Sequence, residues 1–235
     1  MKCEKVAVFT GAGVSAESGI ATFRGAGGMW EKVDPMRVVS IEGFLTDPKF
    51  VWECHEAWRR QIGSCEPNKA HEVIAWMEGF FPHVTVSTQN VDGFHQKAGS
   101  KRPYELHGNL WILRCVNGCG EWEDRHELID LPPKCPHCGG MLRPAIVWFG
   151  EPLPEEALMA SEKAAADCDV LFVVGTSATV YPAASIPEIA ILKGRLVIEI
   201  NPEKTPISGR VTLSVRAKAG EALEALQKEL LTHGR

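Results

Sequence analysis

The sequence has 235 residues, 45% hydrophobic and 23% charged, which is enough chain to bury a sizeable core in one large domain with a small insertion. Its formal net charge of −5 and the lack of a basic stripe argue against a nucleic acid as the main partner. No apolar stretch approaches the roughly 20 residues of a membrane span, and the first five residues lack a signal-peptide pattern, so we expect a cytoplasmic protein with no membrane partner.

A short apolar run at residues 6–9 predicts a strand buried on both faces, as in a parallel sheet. Directly after it come residues with the spacing of a dinucleotide-binding loop, namely Gly11, Gly13 and Ala16. Glycine suits such a loop because a Cβ would obstruct the approach of a pyrophosphate to the backbone amides. Ser15, Glu17 and Ser18 then predict a helix start whose free N–H groups can bind an anion.

The acidic residue of an ordinary dehydrogenase has no clear counterpart in this chain. It is expected about 20 positions after the loop, near Glu31 or Asp34, where no second strand is visible. Instead, residues 19–25 place Phe23 and Arg24 on a loop. These two residues are either a loop anchor and a solvated charge or a lid over a bound nucleotide.

Two helical regions and a second strand follow. Residues 35–65 show no strand-like alternation, and their large apolar residues recur at spacings typical of short helices, which predicts a small helical module. A helix at residues 69–78 has an apolar face for core packing. The next buried strand, at residues 84–87, is followed by three polar side chains, Gln89, Asn90 and Asp92. Ligands bind at the carboxyl ends of parallel strands, although a turn-and-cap role for the last two is the alternative.

His107 lies just before another apolar strand, at residues 110–113. A lone histidine is more often structural or exposed than catalytic. Gly108, directly after it, allows close backbone approach and favours a catalytic role only slightly.

Four of the eight cysteines lie in two closely spaced pairs, Cys115 with Cys119 and Cys135 with Cys138. In a reducing compartment this spacing favours a metal over disulfides. Four thiolates predict a closed, structural zinc site, since catalytic zinc keeps a position for water. His137 is a possible competing ligand. The scattered cysteines are interpreted as small buried hydrophobic residues.

The last third of the chain repeats a strand-and-helix pattern. Residues 146–151 are an apolar run interpreted either as an ordinary strand or as an edge strand that receives an extended peptide. Helices are predicted at residues 154–167 and 221–231, and strands at residues 170–174 and 195–200. The small polar residues that directly follow these two strands are Gly175, Thr176, Ser177 and Asn201. This alternation predicts an α/β fold with a doubly wound parallel sheet.

In their order along nearly the whole chain, these motifs resemble those of the sirtuins, which are NAD-dependent protein deacylases. The motifs concerned are residues 11–20, 23–25, 88–92, 107–108 and 175–177, together with the four paired cysteines. Residues 20–28 and 147–151 are most similar to the bacterial and archaeal members.

The resemblance implies a Rossmann-like NAD-binding domain made of residues 1–27, 66–113 and 144–235. A helical module at residues 28–65 and a zinc ribbon at residues 114–143 would form the smaller inserted domain. NAD would lie between the two domains, and one structural zinc ion would be held by the four cysteines. We expect the protein to be a monomer.

The resemblance also assigns site residues. Those that would bind NAD are Gly11, Ala12, Gly13, Ser15, Glu17, Phe23, Arg24, Gln89, Asn90, Asp92, Gly175, Thr176, Ser177, Asn201 and Ala219. His107 would be the catalytic base, and Asn90 would also be catalytic. The residues that would line the acyl-lysine tunnel are Val147, Trp148, Phe149 and Gly150. The same tunnel residues would pair with an acetylated protein or peptide bound as an extended strand.

In the implied reaction, the acyl oxygen attacks the ribose carbon of NAD as nicotinamide leaves. His107 then takes a proton from a ribose hydroxyl so that the acyl group migrates, giving O-acyl-ADP-ribose and free lysine. Mono-ADP-ribosyl transfer at the same NAD site is an open alternative. A non-catalytic nucleic-acid module is a weaker one, because it leaves His107, Asn90 and Asp92 without a role.

Members of the family that prefer succinyl- or malonyl-lysine carry a tyrosine and an arginine three positions apart. Counting back from residues 66–68 puts His55 and Trp58 at those positions here. Val39 stands where those members have an alanine that leaves room for a longer group. Trp58 cannot form arginine's bidentate pair with a carboxylate, but Arg59 lies next door, so the helix phase matters. We expect acetyl-lysine, or a longer neutral acyl-lysine, to be preferred over succinyl-lysine.

Overall fold

Strands and helices alternate along the computed structural model, which describes residues 3–22 and 33–233. The strands are β1 (Lys5–Thr10), β2 (His83–Thr88), β3 (Tyr104–Glu105), β4 (Gly108–Cys115), β5 (Glu121–Glu123), β6 (Leu142–Ile146), β7 (Val170–Val174), β8 (Leu196–Ile200) and β9 (Leu213–Val215). The α-helices are α1 (Pro35–Val38), α2 (Ile41–Thr46), α3 (Pro48–Gly63), α4 (Lys69–Phe80), α5 (Phe94–Lys97), α6 (Glu155–Asp167), α7 (Ser185–Leu192) and α8 (Ala219–His233). Within the described ranges, no helix is both long and apolar enough to cross a membrane. The predicted lid residues Phe23 and Arg24 lie outside the described residues.

Six of the strands form a sheet in the order β3-β2-β1-β7-β8-β9. Each neighbouring pair in this sheet is parallel. Among these six strands, the order is the 3-2-1-4-5-6 order of the dinucleotide-binding Rossmann fold. The order reverses between β1 and β7, and ligands bind at the carboxyl ends of the strands where such a reversal occurs. The predicted doubly wound parallel sheet is confirmed.

Strand β1 is buried on both faces, as its apolar run predicts. Val6 and Val8 belong to a core cluster that includes residues of α4 and α8. Ala7 and Phe9 belong to another cluster, with residues of α6 and α7. Because successive side chains of a strand point to opposite faces, helices cover both sides of the sheet. The packed helices hold the strands of the sheet in place, and the candidate site lies on the loops that follow the carboxyl ends of these strands.

Helices α1, α2 and α3 pack with a second, antiparallel sheet in the order β5-β4-β6. The helices and this sheet both contribute residues to a third core cluster, which contains Trp52 of α3, Leu113 of β4 and Leu142 of β6. Nε1 of Trp52 donates a hydrogen bond to the Leu142 carbonyl at 2.7 Å. The helices and the cysteine ribbon therefore share one core, while the domain boundaries stay a prediction.

Both strand interpretations of residues 146–151 are wrong, because β6 ends at Ile146 and Phe149 forms an isolated parallel bridge with Ser40 rather than a strand. The amides of Val147 and Phe149 donate to carbonyls elsewhere in the protein, at 2.8 and 2.9 Å. Trp148 between them is 2% exposed and lies in the core shared by the helices and the ribbon. In this run Ile146 ends β6 and Trp148 is buried in a loop, while Phe149 is exposed.

Candidate functional site

Two glycine-containing loops meet at the carboxyl ends of β1 and β7. The Gly13 amide donates to the Gly175 carbonyl at 2.7 Å. A Cβ added to Gly13 would lie 2.8 Å from the Gly175 Cα, and one added to Gly11 would lie 2.7 Å from the Thr176 Cβ. The Gly11 amide is also paired, with the Val174 carbonyl at 3.1 Å. Glycine is thus needed here for the close packing of two loops, a different reason from the expected approach of a pyrophosphate to these two amides.

Three of the predicted cofactor-binding side chains form one buried polar cluster. The Ser15 hydroxyl donates to Oδ2 of Asp92 at 2.7 Å and accepts from Nδ2 of Asn90 at 3.0 Å. The other carboxylate oxygen of Asp92 accepts the Phe94 amide at 2.9 Å. Burial raises the pKa of Asp92, and these hydrogen bonds oppose the rise. The cluster holds an amide and a carboxyl group in fixed orientations.

This cluster opens onto a pocket between the two parts of the molecule. The pocket is lined by Ala12, Ser15, Asn90 and Asp92 on one side and by Trp58, Gln61 and Ile62 of α3 on the other. Pockets that bind small molecules combine apolar walls with a few oriented polar groups. The lining therefore suits a small ligand that has both apolar surface and polar groups. Trp58, the predicted acyl-specificity residue, faces the same space as the predicted NAD-binding residues.

The Nδ1 atom of His107 lies 2.9 Å from the carbonyl oxygen of Gln89, the residue that precedes Asn90 of the polar cluster. Because a carbonyl only accepts, Nδ1 carries the proton and Nε2 is left as the acceptor. Burial lowers the pKa of His107, and the bond to Gln89 opposes this. The side chain of Gln89 reaches the Thr176 hydroxyl at 2.9 Å. The arrangement presents a neutral imidazole that can accept a proton.

The remaining predicted NAD-binding residues form two groups. Nδ2 of Asn201 donates to the Thr176 carbonyl at 2.8 Å, and Ser177 lies next to it on the surface. Glu17 lies apart from these residues, at the start of α8 beside Ala219, where its carboxylate accepts the Gly220 amide at 2.6 Å. Since that carboxylate caps the helix, its cofactor role stays a prediction.

The four paired cysteines come together, with all four sulfur atoms within 4.8 Å of one another. The amides of Asn117 and Gly140 lie 3.4 Å from the sulfurs of Cys115 and Cys138, respectively. Such N–H donors stabilise thiolates, and four thiolates fit one tetrahedral, closed zinc ion. The ring of His137 packs edge-on to Trp122, at 6.1 Å between centroids. It is not a member of the four-sulfur group.

The two acyl-specificity positions lie among aromatic residues of α3. His55 is fully buried, with its ring 4.8 Å from that of Trp58 and 6.4 Å from that of Trp148. Burial lowers the pKa of His55 to about 4, so it is neutral. Arg59 is also buried, but it is paired with Glu56 at 3.0 Å and with Asp124, the residue after β5, at 2.8 Å. The helix phase therefore favours Trp58 over Arg59 as the residue that faces the pocket.

A layer of buried polar residues beneath the cluster was not predicted from the sequence. The Thr10 hydroxyl donates to that of Thr88 at 2.8 Å and lies 2.9 Å from Nε2 of His95. Nε2 of His71 lies 3.3 Å from the Ser15 hydroxyl. Burial lowers the pKa of His71 to about 4. For His95, burial and the nearby His71 lower the pKa to about 3. His71 lies in α4 and His95 in α5, and no local sequence pattern indicates that the two meet.

Comparison with known proteins gives one consistent result. The sequence pattern described as the Sir2 family matches residues 11–182. An "NAD-dependent protein deacylase" of Aquifex aeolicus is 48% identical over 93% of this chain and 92% of its own length. A Sir2 homologue solved with NAD is 40% identical, with a TM-score of 0.92 over 98% of this chain and 90% of that one. A Sir2 protein solved with an inhibitor, 2′-O-acetyl-ADP-ribose and a deacetylated p53 peptide is 31% identical, with a TM-score of 0.84 over 96% of this chain and 93% of that one.

Proposed function

Because the chain belongs to the Sir2 family, we propose that it is an NAD-dependent enzyme that removes acyl groups from lysine side chains of proteins. The observation that carries the proposal is the bond between Nδ1 of His107 and the carbonyl of Gln89, the residue before Asn90, which leaves Nε2 as the atom that accepts a proton. Relatives named as deacylases and a neighbour solved with an acetylated ADP-ribose product support deacylation and not ADP-ribosyl transfer.

In this reaction NAD supplies the ribose carbon that takes up the acyl oxygen when nicotinamide leaves. Asn90 and Asp92, held by Ser15, orient the nicotinamide end in the pocket. His107 then takes the proton of a ribose hydroxyl, which frees that oxygen to receive the acyl group. The apolar wall formed by Trp58 and Ile62 of α3 keeps water from the ribose carbon while nicotinamide leaves. One water molecule then adds to the acyl carbon as the lysine amine departs, which leaves the acyl ester on the ribose.

We expect His107→Ala to keep the affinity for ADP-ribose but to lower turnover about 10²–10⁴-fold, the usual contribution of a general base. Turnover is measured as nicotinamide release with and without an acetylated peptide. The affinity for ADP-ribose is measured by calorimetry. His83→Ala, on the exposed start of β2, is the control and should behave as wild type. Normal turnover of His107→Ala would refute this role.

A neutral acyl group, such as acetyl, is the proposed preference over succinyl. Neutral His55 and the indole of Trp58 offer no charge to a carboxylate, and Arg59 is held away by Glu56. We expect deacetylation to be faster than desuccinylation on the same peptide, by more than about tenfold. The double variant His55→Tyr with Trp58→Arg should reverse the order. Faster desuccinylation by the unchanged enzyme contradicts the preference.

The remaining features proposed are a structural zinc ion, an extended peptide at residues 147–150, a monomeric state and a cytoplasmic location without direct nucleic-acid binding. The zinc is supported by the four-sulfur group. The cytoplasmic location is supported by the pairing of those cysteines in metal-binding spacing, which a reducing compartment favours. Light scattering tests the monomer, and the metal content of the purified protein tests the zinc.

A further inference from the structure

The predicted substrate segment, residues 147–150, is enclosed by a bidentate ion pair. Two guanidinium nitrogens of Arg143 donate to the two carboxylate oxygens of Glu151 at 2.6 and 2.8 Å. Arg143 also donates to the Ile146 carbonyl at 2.9 Å, and its guanidinium carbon lies 3.5 Å from a ring centroid of Trp148. The Glu151 carboxylate accepts the Trp148 amide at 2.9 Å. One ion pair thus holds both ends of the segment.

This pair is built to stay ionised. Arg143 is 8% exposed. Burial alone would raise the pKa of Glu151, but the hydrogen bonds from Arg143 and the Trp148 amide outweigh it and hold the pKa below the ordinary value. A bidentate arginine–carboxylate pair fixes orientation as well as distance. The segment is therefore ordered before any peptide arrives.

A second pair lies under Asn201, one of the predicted NAD-binding residues. Glu199 is 1% exposed, and its Oε2 atom accepts from Arg216 at 2.8 Å and from the hydroxyls of Ser208 and Ser214 at 2.7 and 2.6 Å. Another nitrogen of Arg216 donates to the Asn201 carbonyl at 3.1 Å. Burial would raise the pKa of Glu199, but these bonds hold it below the ordinary value. The turn after β8 is thereby tied to one buried carboxylate.

We propose that Glu151 and Glu199 are positioning residues, each of which orders the binding segment for one of the two substrates. The proposal rests on the proposed function. Glu151, through Arg143, orders the segment that binds the acyl-peptide. Glu199, through Arg216, orders Asn201 for NAD. A segment that is ordered in advance costs less conformational entropy on binding, so its loss raises KM for the matching substrate and leaves kcat unchanged.

The test is a reciprocal pair of variants, Glu151→Gln and Glu199→Gln. We expect Glu151→Gln to raise the KM for an acetylated peptide about tenfold and to leave the KM for NAD unchanged. Glu199→Gln should do the reverse and should also weaken the binding of ADP-ribose, measured by calorimetry, about tenfold. In both variants kcat should stay within about twofold of wild type.

Matched controls are Glu121→Gln in the ribbon and Glu188→Gln in α7. Each also faces an arginine, at 2.6 and 3.2 Å, but in a more exposed ion pair, and neither should change a KM. If a thermal melt shows that a test variant is not folded at the assay temperature, Arg143→Lys or Arg216→Lys replaces it. Lysine keeps the positive charge but cannot form the paired hydrogen bonds of the guanidinium group.

Equal shifts of both KM values, or no shift, would overturn the inference. A wild-type protein that releases no nicotinamide with an acetylated peptide would instead refute the proposed function. In that case the comparison of ADP-ribose binding between Glu199→Gln and wild type still decides the inference for Glu199, and acetylated-peptide binding by calorimetry decides it for Glu151.

Discussion

Gly108 determines where His107 stands, because no other residue fits its backbone conformation and its surroundings. Its φ is +74°, and a Cβ there would lie 2.1 Å from the Ala145 carbonyl oxygen. We expect Gly108→Ala to destabilise the fold by more than about 1 kcal/mol, the cost of a left-handed alanine alone. The displaced His107 should lower kcat/KM at least about tenfold. Urea unfolding and steady-state rates measure the two effects.

The control for this prediction is Gly194→Ala. Gly194 has a similar φ of +67°, but a Cβ there would meet no atom within 4 Å, so the variant isolates the backbone cost. If Gly108→Ala costs no more than Gly194→Ala and keeps full turnover, the steric argument fails.

At this scale the sequence identifies residues that stand at strand ends but not the contacts between them. Ser15, Asn90 and Asp92 follow two different strands, and their meeting in one cluster was expected only through the family resemblance. His71 and His95 had no such support, because a buried network across distant elements leaves no local pattern. A helical histidine is interpreted as a packing or exposed residue until its hydrogen-bond partner is known, here Thr10 for His95 and Ser15 for His71.

The ribbon and the helices α1–α3 share a core, so we expect removal of zinc to affect more than the metal site. Cys115 and Cys135 are buried in the same cluster as Trp52 and Leu142. One zinc ion per chain should be found, and a chelator or Cys138→Ser should lower the melting temperature and the turnover together. Elemental analysis, thermal melts and nicotinamide release measure these outcomes.

Cys3→Ser is the control, because Cys3 lies at the start of the large sheet and outside the four-sulfur group. It should retain the metal and the melting temperature. A chelated protein that melts as before would contradict a structural role for the zinc.

Elements long enough to show a period or a continuous apolar run could be predicted, and shorter ones could not. The runs at residues 6–9, 84–87 and 170–174 became β1, β2 and β7. The strands β3, β5 and β9 have two or three residues and show no period. In the run at residues 146–151 only Ile146 and Trp148 are buried, and Phe149 is exposed. Apolar composition alone does not distinguish a strand from such an irregular segment.

At the scale of the whole molecule, the pocket exists only because two separately built parts meet. One wall comes from loops at the reversal of strand order, and the other comes from α3, whose core is shared with the ribbon. The parallel sheet could be derived from strand and helix alternation. The placement of Trp58 opposite Asn90 depends on how α3 packs, which no local pattern records.

The buried histidine layer makes the stability of the whole molecule depend on pH. Burial and the nearby His71 lower the pKa of His95 to about 3 in the folded protein, against 6.5 for an ordinary histidine. Below pH 6.5 the unfolded chain therefore binds a proton that the folded protein does not. Stability falls as pH falls, by about 1.4 kcal/mol per pH unit for this residue, until the folded pKa is reached.

Replacing His95 with glutamine removes this pH-dependent contribution to stability. The loss in the free energy of unfolding caused by His95→Gln should therefore depend on pH. We expect the loss in the free energy of unfolding to be about 2 kcal/mol smaller at pH 5 than at pH 8, because the wild type is penalised at pH 5 and the variant is not. Urea unfolding at the two pH values measures it. Thr88→Val, in the same layer but without a titrating group, should cost the same at both. An equal cost of His95→Gln at pH 5 and pH 8 would show that His95 is not kept neutral by the fold.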